Sequence, residues 1–208
     1  MSARAKSKSA ELKSRLAHPV IDSDGHTLES MAVFLDYLKS AAGSAAVARF
    51  PKALEDTFGD PRWMNATAAE RRDLRKLKPT WWANPAANTL DLATATMPRL
   101  MHERLDEMGL DVSVVYPTIA LVTLEIEDEE IRRGSARALN QMKADLFGEF
   151  SDRLIAAATI PMHTPHEAIE ELKFAVNEAK LKAAMVASYV RRPIPKVARE
   201  IPAAASYT

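Results

Sequence analysis

Four short segments of the chain share one pattern, and that pattern points to a parallel sheet. His18–Asp24 (HPVIDSD), Asp111–Tyr116 (DVSVVY), Arg153–Ile160 (RLIAAATI) and Ala183–Ser188 (AAMVAS) consist mostly of β-branched or small apolar residues. Each is followed by a turn and then by a stretch with helical period. Strands that are apolar along their length are buried on both faces, and parallel neighbours need a crossover rather than a hairpin to join them. The pattern therefore predicts an α/β fold in which helices cover the outer face of a parallel sheet.

The helices between the strands carry their own start and stop signals. Thr164-Pro165-His166-Glu167 is a capping box with proline in the first turn, and Ala168, Ile169, Leu172, Ala175, Val176 and Ala179 follow at three- and four-residue spacing. The acidic run through Glu125 to Glu130 reads as a helix start, with Ile131, Leu139, Met142, Leu146 and Phe150 as the buried stripe behind it. A third helix, about Met97 to Met108, presents Leu100, Met101, Leu105 and Met108 and stops at Gly109. Regular alternation fails between Glu29 and Ala95. That stretch begins as an amphipathic helix (Met31, Leu35, Leu38) and loses its period through Phe50-Pro51, Gly59-Asp60-Pro61 and Trp81-Trp82. A long helical insertion after the first strand is expected, on the side where loops build sites.

Composition removes several functions. The 208 residues carry 28 Lys+Arg against 28 Asp+Glu, so the surplus of cation that nucleic acid or an anionic membrane surface would recruit is missing. Cysteine is absent, which excludes disulfides, thiol nucleophiles and Cys-ligated metal, and leaves any metal to His, Asp and Glu. No apolar run approaches the roughly 18 residues of a membrane span. Residues 1–18 are basic and lack the apolar stretch of a secretory signal, so they read as a flexible leader ahead of one domain, 19–208, in a cytoplasmic protein.

The sharpest chemical feature is Ile21-Asp22-Ser23-Asp24-Gly25-His26, at the end of the first strand. On an extended segment Asp24 and His26 point to the same side, where a carboxylate oxygen and an imidazole nitrogen could share a zinc or another divalent ion. The plainer alternative is that Asp24 and Gly25 make a turn and His26 is a surface residue.

The stretches VIDSDGHTLES, NTLDLATATMPRLMHERLDEMGLDVSVVYPT, DRLIAAATIPMHTPHEAIEELKFAV and KAAMVASYVRRPIP, in that order from about Val20 to Arg199, resemble the amidohydrolase family related to aminocarboxymuconate-semialdehyde decarboxylase and resorcylate decarboxylase. The resemblance implies a metal-dependent TIM barrel that hydrolyses C–N or C–O bonds, or removes a carboxylate without a redox cofactor. It places Asp24 and His26 at the two metal-ligand positions that end the family's first strand, with zinc the expected ion and manganese the second choice. The family's remaining ligands, a His after strand five and an Asp after strand eight, have no counterpart here. The chain holds about four of the eight (β/α) units of such a barrel.

Several residues stay open between a role in the site and a structural one. His163 follows a strand and could reach the site, whereas His102 lies within a helix and His166 in the first turn of another. Trp82, with Trp81 and Trp63, could line an aromatic substrate pocket or anchor the insertion. Tyr116 and Ser188 end strands, where barrel sites gather. Arg191-Arg192 could grip a substrate carboxylate or sit in a solvated loop. Two functions follow as expectations. One is a metal-dependent hydrolase or non-oxidative decarboxylase acting on a small carboxylated or cyclic molecule. The other is an inactive, truncated fragment serving as an oligomerisation or interaction module, pairing with a second copy through its exposed strand edges.

Overall fold

Parallel pairing emerges where the apolar segments lie. β1 (Ile21–Thr27), β2 (Val112–Pro117), β3 (Leu154–Ile160) and β4 (Ala183–Val186) form one parallel sheet in the order β1-β2-β3-β4. In this computed structural model, which describes residues 7–58, 67, 69, 89–188 and 190, the sheet curls into a half-barrel. The expected Trp63, Trp81, Trp82, Arg191 and Arg192 lie outside the described residues. β1 begins three residues later than the sequence pattern suggests and runs on to Thr27. Its entry is used differently: the Val20 amide donates to Asp111 Oδ2 at 2.8 Å, and the Val20 carbonyl accepts from the Asp111 amide at 2.8 Å.

Among the described residues the α-helices are α1 (Lys8–Lys13), α2 (Met31–Phe58), α3 (Thr89–Thr96), α4 (Pro98–Met108), α5 (Ala120–Thr123), α6 (Glu129–Phe147) and α7 (Pro165–Asn177). Their caps follow the sequence signals. Gly109 ends α4 with a left-handed φ of 80°, the Asp128 side chain accepts from the Ile131 amide to open α6, and the Thr164 hydroxyl accepts from the Glu167 amide to open α7. The capping bond holds the Asp128 carboxyl below its ordinary pKa, with Arg49 adding to the effect. Part of the basic leader is also structured. α1 is capped by Ser7, whose hydroxyl also donates to the Glu107 carbonyl, and Lys13 Nζ stands 2.6 Å from Asp111 Oδ1.

α2 does not lose its helical course at Phe50-Pro51. It continues to Phe58, interrupted at Gly43 (φ 82°, ψ 172°), and buries Phe34 and Leu38 before the break and Ala46 and Phe50 after it. These pack with Ile131, Ala138, Leu139 and Met142 of α6, whereas Met31, expected on the buried stripe, is exposed. A second core gathers Met101 and Leu105 of α4, Val115 of β2, Leu154 and Ala156 of β3, and Phe147 of α6. Farther along the same face of β3, Ala158 and Ile160 pack on Ala175 of α7.

Where β2 and β3 part, a side chain replaces the missing strand. Register between them runs only to Val115↔Ala156, while β3 pairs β4 from Ala157↔Ala183 onward. Asn140 of α6 then donates to the Thr159 carbonyl at 3.0 Å and accepts from the Thr159 amide at 2.6 Å. Its amide thus fills a ladder position that would otherwise leave buried backbone groups without partners.

α7 is turned differently from its apolar period. Ile169, Leu172 and Val176 are exposed, and Glu167, Glu171, Phe174 and Ala175 are buried. The cause lies on α6. Arg132 forms a two-pronged pair with Glu167 at 3.2 and 3.0 Å, and its remaining nitrogen donates to the carbonyls of Ile126 and Glu127. Arg137 grips Glu171 at 3.0 Å and lies 3.8 Å from the Phe174 ring centre. The helix thus pairs Arg132 and Glu167 out of water while Ile169, Leu172 and Val176 face outward. Among the described residues, no helix is long and apolar enough to cross a membrane.

Both side chains of the Arg132–Glu167 pair are nearly water-free, at 4% and 2% exposure. Glu167→Ala should therefore destabilise the protein by about 3–5 kcal/mol in urea denaturation, because Arg132 is left as an uncompensated buried charge. Glu55→Ala, which breaks the exposed Lys52–Glu55 pair, should change stability by less than about 1 kcal/mol. Equal effects from the two would contradict this account of the α6–α7 contact.

Candidate metal cradle at the ends of β1 and β2

An extra residue in β1 shapes the site. Asp22 pairs with Ser113 and Gly25 with Val115, so three steps along β1 match two along β2, and the strand bulges at Ser23 and Asp24. Asp22 builds the bulge: Oδ1 accepts from the Asp24 amide at 3.0 Å and Oδ2 accepts from the Ser113 hydroxyl at 3.0 Å. Gly25 is required by close approach. A Cβ there would stand 2.4 Å from Ser113 Oγ and 2.9 Å from the Val114 carbonyl oxygen. Neither a free turn nor an unbroken extended strand describes the segment. Pairing resumes at Gly25 and carries His26 opposite Tyr116.

The bulge brings Asp24 and His26 together. Asp24 Oδ1 and His26 Nε2 are 3.9 Å apart, with the carboxylate almost fully exposed and the imidazole 30% exposed. Two donors each about 2.0–2.2 Å from one tetrahedral zinc ion stand about 3.3–3.6 Å apart, so the exposed Asp24 carboxylate would have to close in by a few tenths of an ångström to share an ion with His26. His26 Nδ1 lies 3.3 Å from Thr118 Oγ1. The Thr118 hydroxyl can accept from or donate to Nδ1, so the contact steadies the ring with Nε2 turned toward Asp24. The Tyr116 ring, half-buried, is centred 6.0 Å from the imidazole.

The other candidates are scattered. His102 is engaged by Asp152 at 3.1 Å, at the end of the sheet where strands begin. His166 is exposed in the first turn of α7, 3.6 Å from Glu170. His163 follows β3 and is half-buried, and Ser188 sits on an exposed bend after β4. Among the described residues no group of three or more His, Cys, Asp or Glu is arranged to hold a metal ion, so no third ligand joins Asp24 and His26 there. A groove of about 640 Å³ between α2, α6 and α7 includes neither residue. Its lining Arg133 and Arg137 are already paired with Glu170 and Glu171.

Behind the cradle lies a cluster with no signature in the sequence. Lys143 of α6 is fully buried, donates to the Thr27 hydroxyl, and stands 3.3 Å from Glu29 Oε1. Burial pushes its ammonium down to about 8, against the opposing effect of Glu29. A lysine near the end of a helix reads from sequence as a solvated charge, and only the partner 114 positions away shows otherwise.

Gly25→Ala should open the bulge, since the clash is with backbone as well as a side chain. The expected cost is about 1–3 kcal/mol in urea denaturation. Gly148→Ala, whose added Cβ would meet nothing within 4 Å, should stay within about 0.5 kcal/mol of the parent. Tolerance of alanine at 25 would contradict the bulge geometry. No protein-family model matches the chain, and no curated protein shows significant similarity to it.

Proposed function

We propose that the chain binds a divalent metal, zinc first and manganese second, through Asp24 and His26, and is a metal-dependent hydrolase or non-oxidative decarboxylase of the amidohydrolase type. The supporting observation is the 3.9 Å approach of Asp24 Oδ1 and His26 Nε2. It occurs at the C-terminal end of a parallel strand, where α/β folds place their sites. A curled sheet of four parallel strands is compatible with half of such a barrel, and the long segment between β1 and β2 would be its insertion.

The residues divide the work by chemistry. Asp24 offers a carboxylate oxygen open to solvent. His26 offers a ring nitrogen beside it, with the other ring nitrogen facing Thr118. Tyr116 forms a flat wall beside the imidazole, suited to a small cyclic or carboxylated substrate. When bound, the ion supplies Lewis acidity toward water or a substrate carboxylate. Two protein ligands hold such an ion weakly, since zinc sites ordinarily use three or four.

A second reading, an oligomerisation module, is favoured by a different observation. Ile169, Leu172 and Val176 make an exposed apolar stripe on α7, Val186 is exposed on the neighbouring β4, and no strand among the described residues pairs with the outer edges of β1 or β4. Parallel edges of this kind pair readily with a second copy.

Metal analysis after zinc or manganese loading separates the two readings. About one equivalent is expected for the parent protein kept in excess free metal, and a marked loss in Asp24→Ala and His26→Ala. Less than about half an equivalent, unchanged in both variants, would contradict the metal reading. Self-association without metal loading would favour the module.

A further inference from the structure

We infer that Glu29 and Lys143 are positioning residues for His26, setting the imidazole from behind through the ends of β1 and β2. Lys143 Nζ donates to the Thr27 hydroxyl, one residue beyond His26. The Thr27 hydroxyl donates in turn to Glu29 Oε1 and also approaches the Tyr116 carbonyl at 3.3 Å. Glu29 Oε2 accepts from the Ile119 amide at 3.1 Å, one residue beyond the Thr118 that faces His26 Nδ1. The two strand ends that carry His26 and Thr118 are therefore tied to one carboxylate and one amine. The Thr118 amide adds a direct bond to the Thr27 carbonyl at 3.3 Å.

Stability alone is a poor reason for this arrangement. The Glu29 and Lys143 side chains are 3% and 1% exposed, and an ion pair stripped of water to that degree contributes little over well-packed apolar side chains of similar volume. Such a pair does impose direction. Lys143 is held at 4.5 Å from the Phe147 ring centre, so its amine has a narrow range of positions, and Thr27 and Glu29 must come to it. A shift of Thr27 or Ile119 would change the His26–Thr118 contact that steadies the imidazole ring.

This inference rests on the metal reading for its consequence, since His26 is the residue positioned, but its geometry is independent of any metal. The test compares two-bond ¹H–¹⁵N spectra of the histidine rings in the metal-free full chain at one pH just above neutral. Parent, Lys143→Met and Glu29→Leu/Lys143→Met proteins are compared. The double variant leaves no unpaired buried charge and keeps the fold accessible if the single variant unfolds. In the parent, His26 should show the unequal ring shifts of one tautomer. In the double variant they should move toward the averaged values of a free imidazole, with His102, held by Asp152 at the other end of the sheet, unchanged. Zinc affinity should fall roughly tenfold in the same variant. Unaltered His26 shifts in the double variant would overturn the inference, and so would His102 shifting in step, which marks a global effect. If the parent binds no zinc, the metal reading fails while the ring comparison still decides the positioning role.

Discussion

A helix that buries an arginine, an asparagine and a lysine can dock in very few ways, and α6 is such a helix. Arg132, Asn140 and Lys143 are each at most 4% exposed. Each must find a partner inside the protein or bear the cost of lost hydration. Arg132 takes Glu167 on α7, Asn140 takes the Thr159 backbone of β3, and Lys143 takes Thr27 and Glu29 at the end of β1. Meeting all three demands fixes the rotation and translation of α6 together. It thereby places α7, the split between β2 and β3, and the strand end that carries His26. The apolar contacts with α2 and α4 supply the non-directional attraction, and the polar contacts choose among the packings that attraction would allow.

The site adds a second constraint of the same kind. A regular β1 would leave Asp24 and His26 on one face, with nothing to draw their side chains together. The bulge does so by a set of short-range demands: Asp22 accepts from Ser113 and from the Asp24 amide, and the absence of a side chain at Gly25 lets β2 approach. Bulges recur where a strand must re-aim a side chain. Here one positions a carboxylate over an imidazole, while the buried pair on the other side of the strand holds the imidazole's support.

Much of the scaffold was legible in sequence because its signals are local. Apolar runs mark the four strands, and Gly109, Asp128 and Thr164 mark helix ends by chemistry that acts within one turn. Partnerships across long separations were not legible. The aliphatic period of α7 points Ile169, Leu172 and Val176 inward, yet the structure exposes them because Glu167 and Glu171 answer arginines more than 30 positions away. Helical continuity through Pro51 was hidden by the usual effect of proline, and the phase of α2 by the break at Gly43. Asp24 and His26 could be singled out, but the bulge that joins them could not. Its one sequence sign was Gly25 within a strand, equally readable as a turn. Glu29 and Thr118 lie in stretches singled out for other residues, and Lys143 lies in none of them.

The central claim is that β1 delivers one carboxylate and one imidazole to a common metal. X-ray absorption at the zinc edge on the zinc-loaded protein tests it at the atoms concerned. The account predicts nitrogen and oxygen scatterers at about 2.0–2.2 Å, with the outer-shell signature of an imidazole ring that disappears in His26→Ala. An imidazole signature that survives that substitution, or a shell showing no imidazole in the parent, would contradict it.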